Sequence, residues 1–147
     1  MRGFEIVTKY KNENIELPKR ETANAAGYDF KAAKNMLFLP NEIKLIPTAI
    51  KSYMQPNEVL MLFNRSSAPK KLGLVLPNSV GIVDADYYNN ENNEGEIFFQ
   101  MLNITDHEVN VLKGDRIGQG MFTNFLIIDN EQAGGVRNGG FGSTGEK

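Results

Sequence analysis

The sequence predicts an all-β fold, because short stretches of period-two alternation dominate it and no long helical stripe interrupts them. Five stretches combine β-branched and aromatic residues with turn-forming residues at both ends. They cover residues 4–10, 43–47, 58–63, 96–102 and 116–122. Many short strands with almost no helix indicate a sandwich or barrel.

The segments between these strands contain turn formers and one short helix candidate. Turns are predicted at Pro40-Asn41, Gln55-Pro56-Asn57 and Lys113-Gly114-Asp115, and a polar loop at residues 88–95. The helix candidate covers residues 66–72, with Ser66 or Ser67 as its cap. His107 lies in a run of polar residues, and this run predicts a turn exposed to solvent.

Composition limits the classes of function. The chain has 147 residues, of which 41% are hydrophobic, so residues 1–133 are expected to form one domain. A net charge of −2 with interspersed signs disfavours stable binding to nucleic acid. One histidine and no cysteine exclude disulfides and Cys or His zinc sites. No apolar run approaches a membrane span and no signal-type core follows Met1, so we expect a cytoplasmic protein.

Residues 134–147 contain six glycines together with Arg137 and Phe141. Such a segment loses much backbone entropy on ordering, which is typical of a plain disordered tail. The guanidinium group of the arginine can also donate two parallel hydrogen bonds to a phosphate, and the aromatic ring can stack on a flat base. The alternative prediction is therefore a flexible flap that becomes ordered over a nucleotide.

A second glycine-bounded segment, Gly81 to Tyr87, contains two carboxylates. In an extended strand Asp84 and Asp86 point to the same face. From these residues alone the pair could accept a proton, form a turn or bind a metal ion. Tyr87 could equally be an edge-strand residue that packs on its neighbours.

Five segments in order resemble the motifs of the trimeric dUTPase family. They are Ala26-Gly27-Tyr28-Asp29, Asn64-Arg65-Ser66-Ser67, the segment from Gly81 to Tyr87, the segment from Gly114 to Gln119, and the glycine-rich tail. The resemblance implies a homotrimer of distorted jelly-roll (β-clip) subunits. It also implies Mg²⁺-dependent hydrolysis of dUTP to dUMP and pyrophosphate, which keeps uracil out of DNA and supplies dUMP for dTMP synthesis.

The resemblance also implies roles for single residues. Asp84 would orient the attacking water and accept its proton, and Tyr87 would pack under the deoxyribose and exclude a 2′-hydroxyl. Asn78 would bind the uracil edge together with main-chain groups of the hairpin, at Gly81 and Val83. Taken by itself, the segment Pro77-Asn78-Ser79 is an ordinary turn.

The remaining motif residues would bind phosphate or metal. The residues implied at the phosphates are Arg65, Ser66, Ser67, Gln119 and Arg137. In the tail, Phe141 would stack on uracil beside Gly142 and Ser143. Asp29 would hold Mg²⁺ through water. Arg116 could instead form a structural ion pair. The site would be composite, with Asn78 to Tyr87 from a second subunit and the tail from a third.

Two features depart from the family pattern. Residues 88–94 form an added loop after the motif tyrosine, and Arg137 stands only two residues before Gly139. Alanine is more common in the family where Gly118 stands, and either residue is small enough for close packing. Two other functions remain open: a dCTP deaminase of the same fold, with a glutamate in place of the Asp84 arrangement, or a dUTP-responsive regulatory protein whose added loop binds a partner.

Overall fold

The computed structural model describes residues 1–135, 137, 139 and 140, and antiparallel strands make up most of its regular structure. The strands are β1 Gly3–Ile6, β2 Tyr28–Lys31, β3 Met36–Phe38, β4 Ile43–Pro47, β5 Ile50–Tyr53, β6 Glu58–Phe63, β7 Leu74–Val75, β8 Gly81–Asp84, β9 Phe98–Asn103, β10 Val109–Val111 and β11 Arg116–Asn124. The described helical segments are 3-10 turns at Thr8–Tyr10 and Ala85–Tyr87 and a π turn at Ala68–Leu72. The predicted all-β class is confirmed.

The strands form four open sheets around one apolar core. The largest has the order β2-β11-β6-β8, a second has the order β4-β9-β7, and the pairs β1-β5 and β3-β10 complete the set. Rings of Phe30 on β2 and Phe99 on β9 meet at 5.4 Å between centroids, which joins the two larger sheets. The fully buried core includes Phe30, Phe38, Ile46, Leu60, Leu62, Leu74, Ile97, Phe99, Met101 and Ile117.

The register of the four-stranded sheet determines where the motif residues lie. Asp29 pairs with Gln119, which pairs with Phe63, so these three residues form one row across the sheet. Asp84 pairs with Val59 in a second row. Asp29 lies on one edge strand and Asp84 on the other, and Phe63 is four residues beyond Val59 along β6.

Two of the five predicted strands, at Ile43–Pro47 and Glu58–Phe63, coincide with β4 and β6. The strands predicted at 96–102 and 116–122 correspond to β9 and β11 with small shifts at their ends. The prediction for residues 4–10 is wrong in its second half. There the Thr8 N–H and hydroxyl both donate to the Glu94 carboxylate, so the chain leaves the ladder and turns.

The predicted helix at 66–72 is shorter and wider than expected. Its π turn begins at Ala68, and Ser67 precedes it without a side-chain capping bond, so the predicted serine cap is wrong. Pro69 has no N–H for a regular ladder, and the turn closes with the Gly73 N–H donating to the Ala68 carbonyl at 3.0 Å. Gly73 has φ +71°, which suits glycine at this end.

Several short strands were not predicted from the sequence, namely β2, β3, β5, β7 and β10. Each has two to four residues, too few for alternation to be visible. His107 is exposed in a bend, as predicted. Among the described residues no helix is long and apolar enough to cross a membrane.

Candidate active site

The motif residues gather at two places on the four-stranded sheet. We call the first the Asp29 corner, formed by Asp29, Arg65, Arg116 and Gln119. We call the second the Asp84 corner, formed by Asp84, Asp86, Tyr87 and Arg137. Each corner contains both carboxylate and guanidinium groups, so each can bind an anion or hold a water molecule in place.

The Asp29 corner is organised by two ion pairs. The Arg65 Nε lies 3.5 Å from one carboxylate oxygen of Asp29, and an Nη of Arg116 lies 3.8 Å from the other. Arg116 also lies 3.5 Å from a carboxylate oxygen of Glu21, so the alternative of a structural ion pair is realised for Arg116. The two guanidinium groups concentrate positive charge here, which favours a phosphate ligand.

Gln119 is held within the same corner. Its Nε2 donates to the Asn64 carbonyl at 3.0 Å, and its Oε1 lies where a Cβ on Gly27 would stand. The side-chain oxygen of Asn64 in turn accepts from the Leu76 N–H at 3.0 Å. These bonds fasten the end of β6 and hence the start of the segment Arg65-Ser66-Ser67.

The two serines differ in exposure. Ser66 is exposed and Ser67 is half-buried. The Ala68 N–H donates to the Arg65 carbonyl at 3.0 Å, which makes a tight turn around the serines. The Ser66 hydroxyl is therefore free to reach a ligand beside the guanidinium of Arg65, but it does so from a loop and not from a helix start.

The Asp84 corner is organised by one arginine of the tail. The Arg137 Nη2 lies 2.6 Å from Asp84 Oδ2, and its Nε lies 2.7 Å from Asp86 Oδ1. Asp84 ends β8, whereas Asp86 lies in the 3-10 turn, so the expected fully extended segment is interrupted. The two carboxylates nevertheless face the same guanidinium group, and their side chains remain 48% and 61% exposed.

Tyr87 is buried beside these acids. Its hydroxyl donates to the Glu96 carbonyl at 2.5 Å and accepts from Asn93 Nδ2 at 2.8 Å. Burial raises the pKa of Tyr87 to about 12, so the phenol stays neutral at physiological pH. A Cβ on Gly140 would lie 2.6 Å from the Tyr87 ring, so the tail backbone lies directly on that ring.

The hairpin before Asp84 offers fewer side chains to a ligand. Asn78 is exposed in a turn, and its carbonyl accepts from the Val80 N–H at 2.8 Å. The Val83 side chain is buried in the core, so Val83 can contact a ligand only through its main chain. Gly81 packs closely on Leu62, since a Cβ there would lie 3.0 Å from the Leu62 Cβ.

The other predicted tail residues, Phe141, Gly142 and Ser143, lie outside the described residues. The described part of the tail contributes Arg137, Gly139 and Gly140 to the Asp84 corner. No group of three or more acidic or histidine side chains that could hold a metal ion occurs in the described part of the chain.

The two corners are far apart on one chain. Four residues of β6 separate their rows by about 13 Å, and three strand spacings separate β2 from β8 by about 14 Å. Asp29 and Asp84 are therefore roughly 20 Å apart across the sheet. The fold brings the motif residues together within each corner, but it does not join the corners.

Two side chains organise the site although the sequence indicated no role for them. Asn64 belongs to the second motif, and Asn93 lies in the predicted polar loop. Asn64 joins β6 to the strand that follows, and Asn93 reaches back to Tyr87. For Asn93 the density of asparagine in residues 89–93 was the available signal, because asparagine bonds local main-chain groups in tight turns. Gly118 is also more restricted than expected: an added Cβ would overlap the Phe99 ring, so alanine would require that ring to move.

A strand-rich domain with an exposed serine, paired carboxylates and guanidinium groups has the side chains that could bind a small phosphorylated ligand. A family model described as dUTPase matches residues 13–145. A deoxyuridine 5′-triphosphate nucleotidohydrolase of Lactococcus lactis subsp. lactis is 58% identical over 147 residues, with 99% of this chain and 98% of the relative covered. The chain belongs to the dUTPase family.

Solved structures agree with this assignment. The dUTPase from Streptococcus mutans superposes with a TM-score of 0.84 at 58% identity, over 87% of this chain and 99% of that one. A variant of the dUTPase from phage phi11 of S. aureus, described with a structural Mg(II) ion, has a TM-score of 0.72 at 19% identity, with 90% of this chain and 96% of that one covered. The second likeness concerns the fold alone.

Proposed function

We propose that this chain hydrolyses dUTP to dUMP and pyrophosphate. The observation that supports this most strongly is the 58% identity, over nearly the whole chain, with a deoxyuridine 5′-triphosphate nucleotidohydrolase. The reaction would keep uracil out of DNA and supply dUMP for dTMP synthesis. A free nucleotide as substrate is compatible with the expected cytoplasmic location.

Asp84 is the proposed proton acceptor. Its carboxylate ends an edge strand and keeps about half of its side chain exposed, so a water molecule can reach it. The water oxygen would attack the α-phosphorus, the bond from that phosphorus to the bridging oxygen would break, and pyrophosphate would leave. Asp84 would hold the water and take its proton during the attack.

Arg137 must change partners during this reaction. The guanidinium that bridges Asp84 and Asp86 is the same group proposed to bind the γ-phosphate. A phosphate oxygen and a carboxylate are equivalent partners for a guanidinium fork, so the nucleotide can take over the arginine. This exchange would leave Asp84 able to accept a proton, while Asp86 would act as the structural partner that retains the arginine nearby.

The Asp29 corner is the proposed phosphate and metal side of the site. Arg65, Ser66, Ser67 and Gln119 would contact the phosphates, and Asp29 would hold a water of Mg²⁺. The donor set fits such a water-mediated role: both guanidinium contacts of Asp29 exceed hydrogen-bond length, so its oxygens can still accept bonds from water. When bound, the ion would offset the negative charge of the phosphate oxygens.

The nucleoside side is proposed to lie at the Asp84 corner. Tyr87 would pack under the deoxyribose, and Asn78 with the main chain of Gly81 and Val83 would bind the uracil edge. A closed polar pocket built for uracil rejects cytosine, because cytosine leaves polar groups of the pocket without hydrogen-bond partners. Residues 134–147 would form the flap, with Phe141 stacking on uracil and Gly142 and Ser143 beside it.

The distance between the corners supports a composite site in a homotrimer. A proton acceptor must lie within hydrogen-bond reach of a water that contacts the phosphorus, while the phosphates contact Arg65 and Ser66. One chain separates these groups by roughly 20 Å. We therefore propose that the Asp29 corner of one subunit faces the segment from Asn78 to Tyr87 of a second. In the single chain Arg137 contacts Asp84 and Asp86 of its own subunit, which differs from the third-subunit tail that the family resemblance implies. A tail supplied by a third subunit would therefore require Arg137 to leave these two carboxylates when the trimer forms.

Product analysis by chromatography tests the proposal. The full chain is incubated with Mg²⁺ and either dUTP or dCTP. Appearance of dUMP and pyrophosphate from dUTP is the expected result. Formation of dUTP from dCTP would instead identify a deaminase, and unchanged nucleotide that still binds would identify a regulatory protein.

A further inference from the structure

The loop after Tyr87 is tightly closed by its own side chains. Asn90 is buried, and its Oδ1 accepts from the N–H groups of Asn92 and Asn93 at 3.0 and 3.1 Å. Its Nδ2 donates to the Tyr87 carbonyl at 2.8 Å. Gly95 has φ +92°, and a Cβ there would lie 2.8 Å from the same carbonyl. The loop therefore folds back onto Tyr87.

The orientation of the Asn93 amide follows from its neighbours. Its Oδ1 accepts from Asn90 Nδ2 at 2.8 Å and from the Gly95 N–H at 3.0 Å. Because two N–H donors face the oxygen, the amide nitrogen must be the atom that faces the Tyr87 hydroxyl. Asn93 therefore donates a hydrogen bond to the phenol oxygen of Tyr87. The Tyr87 hydroxyl in turn donates its own hydrogen bond to the Glu96 carbonyl.

Contacts outside the loop fix its position on the protein. The Glu94 carboxylate accepts from Lys51 Nζ at 2.7 Å and from the Thr8 hydroxyl at 2.9 Å. The Asn89 Oδ1 accepts from the same Lys51 ammonium at 2.6 Å. Lys51 lies on β5, so the loop is attached to a different sheet from the one that carries Asp84.

We propose that Asn93 is a positioning residue that sets the selectivity for deoxyribose over ribose. Tyr87 lies in a short 3-10 turn, where no sheet ladder fixes its ring. The bond from Asn93 and the bond to Glu96 hold the tip of the ring, and the ring position determines how closely a 2′-hydroxyl can approach. The inference rests on the proposed role of Tyr87 as the surface under the sugar.

The experiment compares kcat/KM for dUTP with kcat/KM for UTP in the full-length enzyme. Asn93→Ala should lower this ratio about ten-fold, the factor that one neutral hydrogen bond is worth. The change should come mainly from a lower KM for UTP, with kcat for dUTP nearly retained. Asn92→Ala is the matched control, since Asn92 is exposed and contributes only its N–H to the loop.

A double-mutant cycle separates positioning from a general loss of loop structure. Tyr87→Phe removes both bonds at the ring tip and leaves the loop sequence intact, so it also tests the proposal if Asn93→Ala does not fold. We expect Tyr87→Phe to lower the ratio to a similar extent, and the double variant to lower it no further. Fully additive effects, or an unchanged ratio in Tyr87→Phe, would overturn the proposal.

Tyr87→Ala separates this inference from the proposed function. If Tyr87→Ala lowers the ratio and Asn93→Ala does not, Asn93 has no positioning role while Tyr87 keeps its own. If dUTP is hydrolysed but Tyr87→Ala leaves the ratio unchanged, sugar selection lies elsewhere and the inference fails with that role. Failure of the wild-type chain to release dUMP would refute the proposed function itself.

Discussion

The Asp29 corner and the Asp84 corner contain similar groups but are held by different means. Asp29 lies on the edge strand β2, at the end of a row of paired residues that crosses three strands. Its side chain is 13% exposed, and two guanidinium groups flank it. Asp84 lies at a strand end with 48% of its side chain exposed, and a loop and the tail surround it. Asp29 is thus enclosed beside fixed positive charge, whereas Asp84 is open to water.

The separation of the two corners is the reason for proposing that the site is shared between subunits. The sheet that carries both corners keeps them roughly 20 Å apart, because the rise along a strand and the spacing between strands are fixed. Under the proposal, the groups expected to hold phosphate and the group expected to activate water meet across an interface between copies. Three experiments test the roles proposed for the two corners, and a fourth tests the loop that supports Tyr87.

The largest effect is expected from Asp84→Asn. An amide still fits the site but cannot take a proton from water, so kcat should fall by on the order of 10² to 10⁴. Binding of a non-hydrolysable dUTP analogue should persist in a titration. Asp86→Asn is the matched control and should retain most turnover. Near-normal turnover of Asp84→Asn with pure dUTP would transfer the role to Asp86.

Deletion of residues 134–147 should cause the next largest loss of activity. It removes Arg137 and the backbone that lies on the Tyr87 ring, so kcat/KM should fall by on the order of 10². The described residues of the deleted segment contribute no side chain to the hydrophobic core, so the thermal melting temperature and the sedimentation of the proposed trimer should hardly change. In the full chain, the analogue with Mg²⁺ should protect the tail from protease. Equal cleavage with and without saturating analogue would contradict the flap.

Mixing two inactive variants tests whether the corners meet between subunits. Arg65→Ala disables the Asp29 corner and Asp84→Asn disables the Asp84 corner. If each site takes the two corners from different chains, refolding an equal mixture should restore about a quarter of wild-type activity, because a quarter of the sites would combine two intact corners. Activity no higher than that of the separate variants would show that each site is built within one chain.

The smallest effect concerns the loop that supports Tyr87. The hydrogen bond from Lys51 lowers the pKa of Glu94, and the bonds from Thr8 act in the same direction. The resulting stabilisation is complete above the ordinary pKa near 4.5 and is lost as the pH falls through the lowered value. Glu94→Gln should therefore melt about 2–4 °C below wild type at pH 7. The two melting temperatures should converge in acid, and a constant difference at all pH values would contradict this.

The sequence alone was sufficient for the fold class and for the motifs. Alternation is a local property, so the strands at Ile43–Pro47 and Glu58–Phe63 could be recognised without any knowledge of their partners. The motif residues are likewise local patterns around a few fixed positions. Their resemblance to the dUTPase family could be seen in the chain itself, and the family is confirmed.

Tertiary structure decided the features that depend on partners distant in the chain. Glu94 ends the first strand because its carboxylate accepts from Thr8, and an alanine at position 118 would require the Phe99 ring to move. Asn93 meets the Tyr87 hydroxyl because the loop folds back on itself. Above all, the register of β6 with its neighbours places Asp29 and Asp84 at opposite corners. Register is a relation between strands, and residue order within any one strand does not contain it.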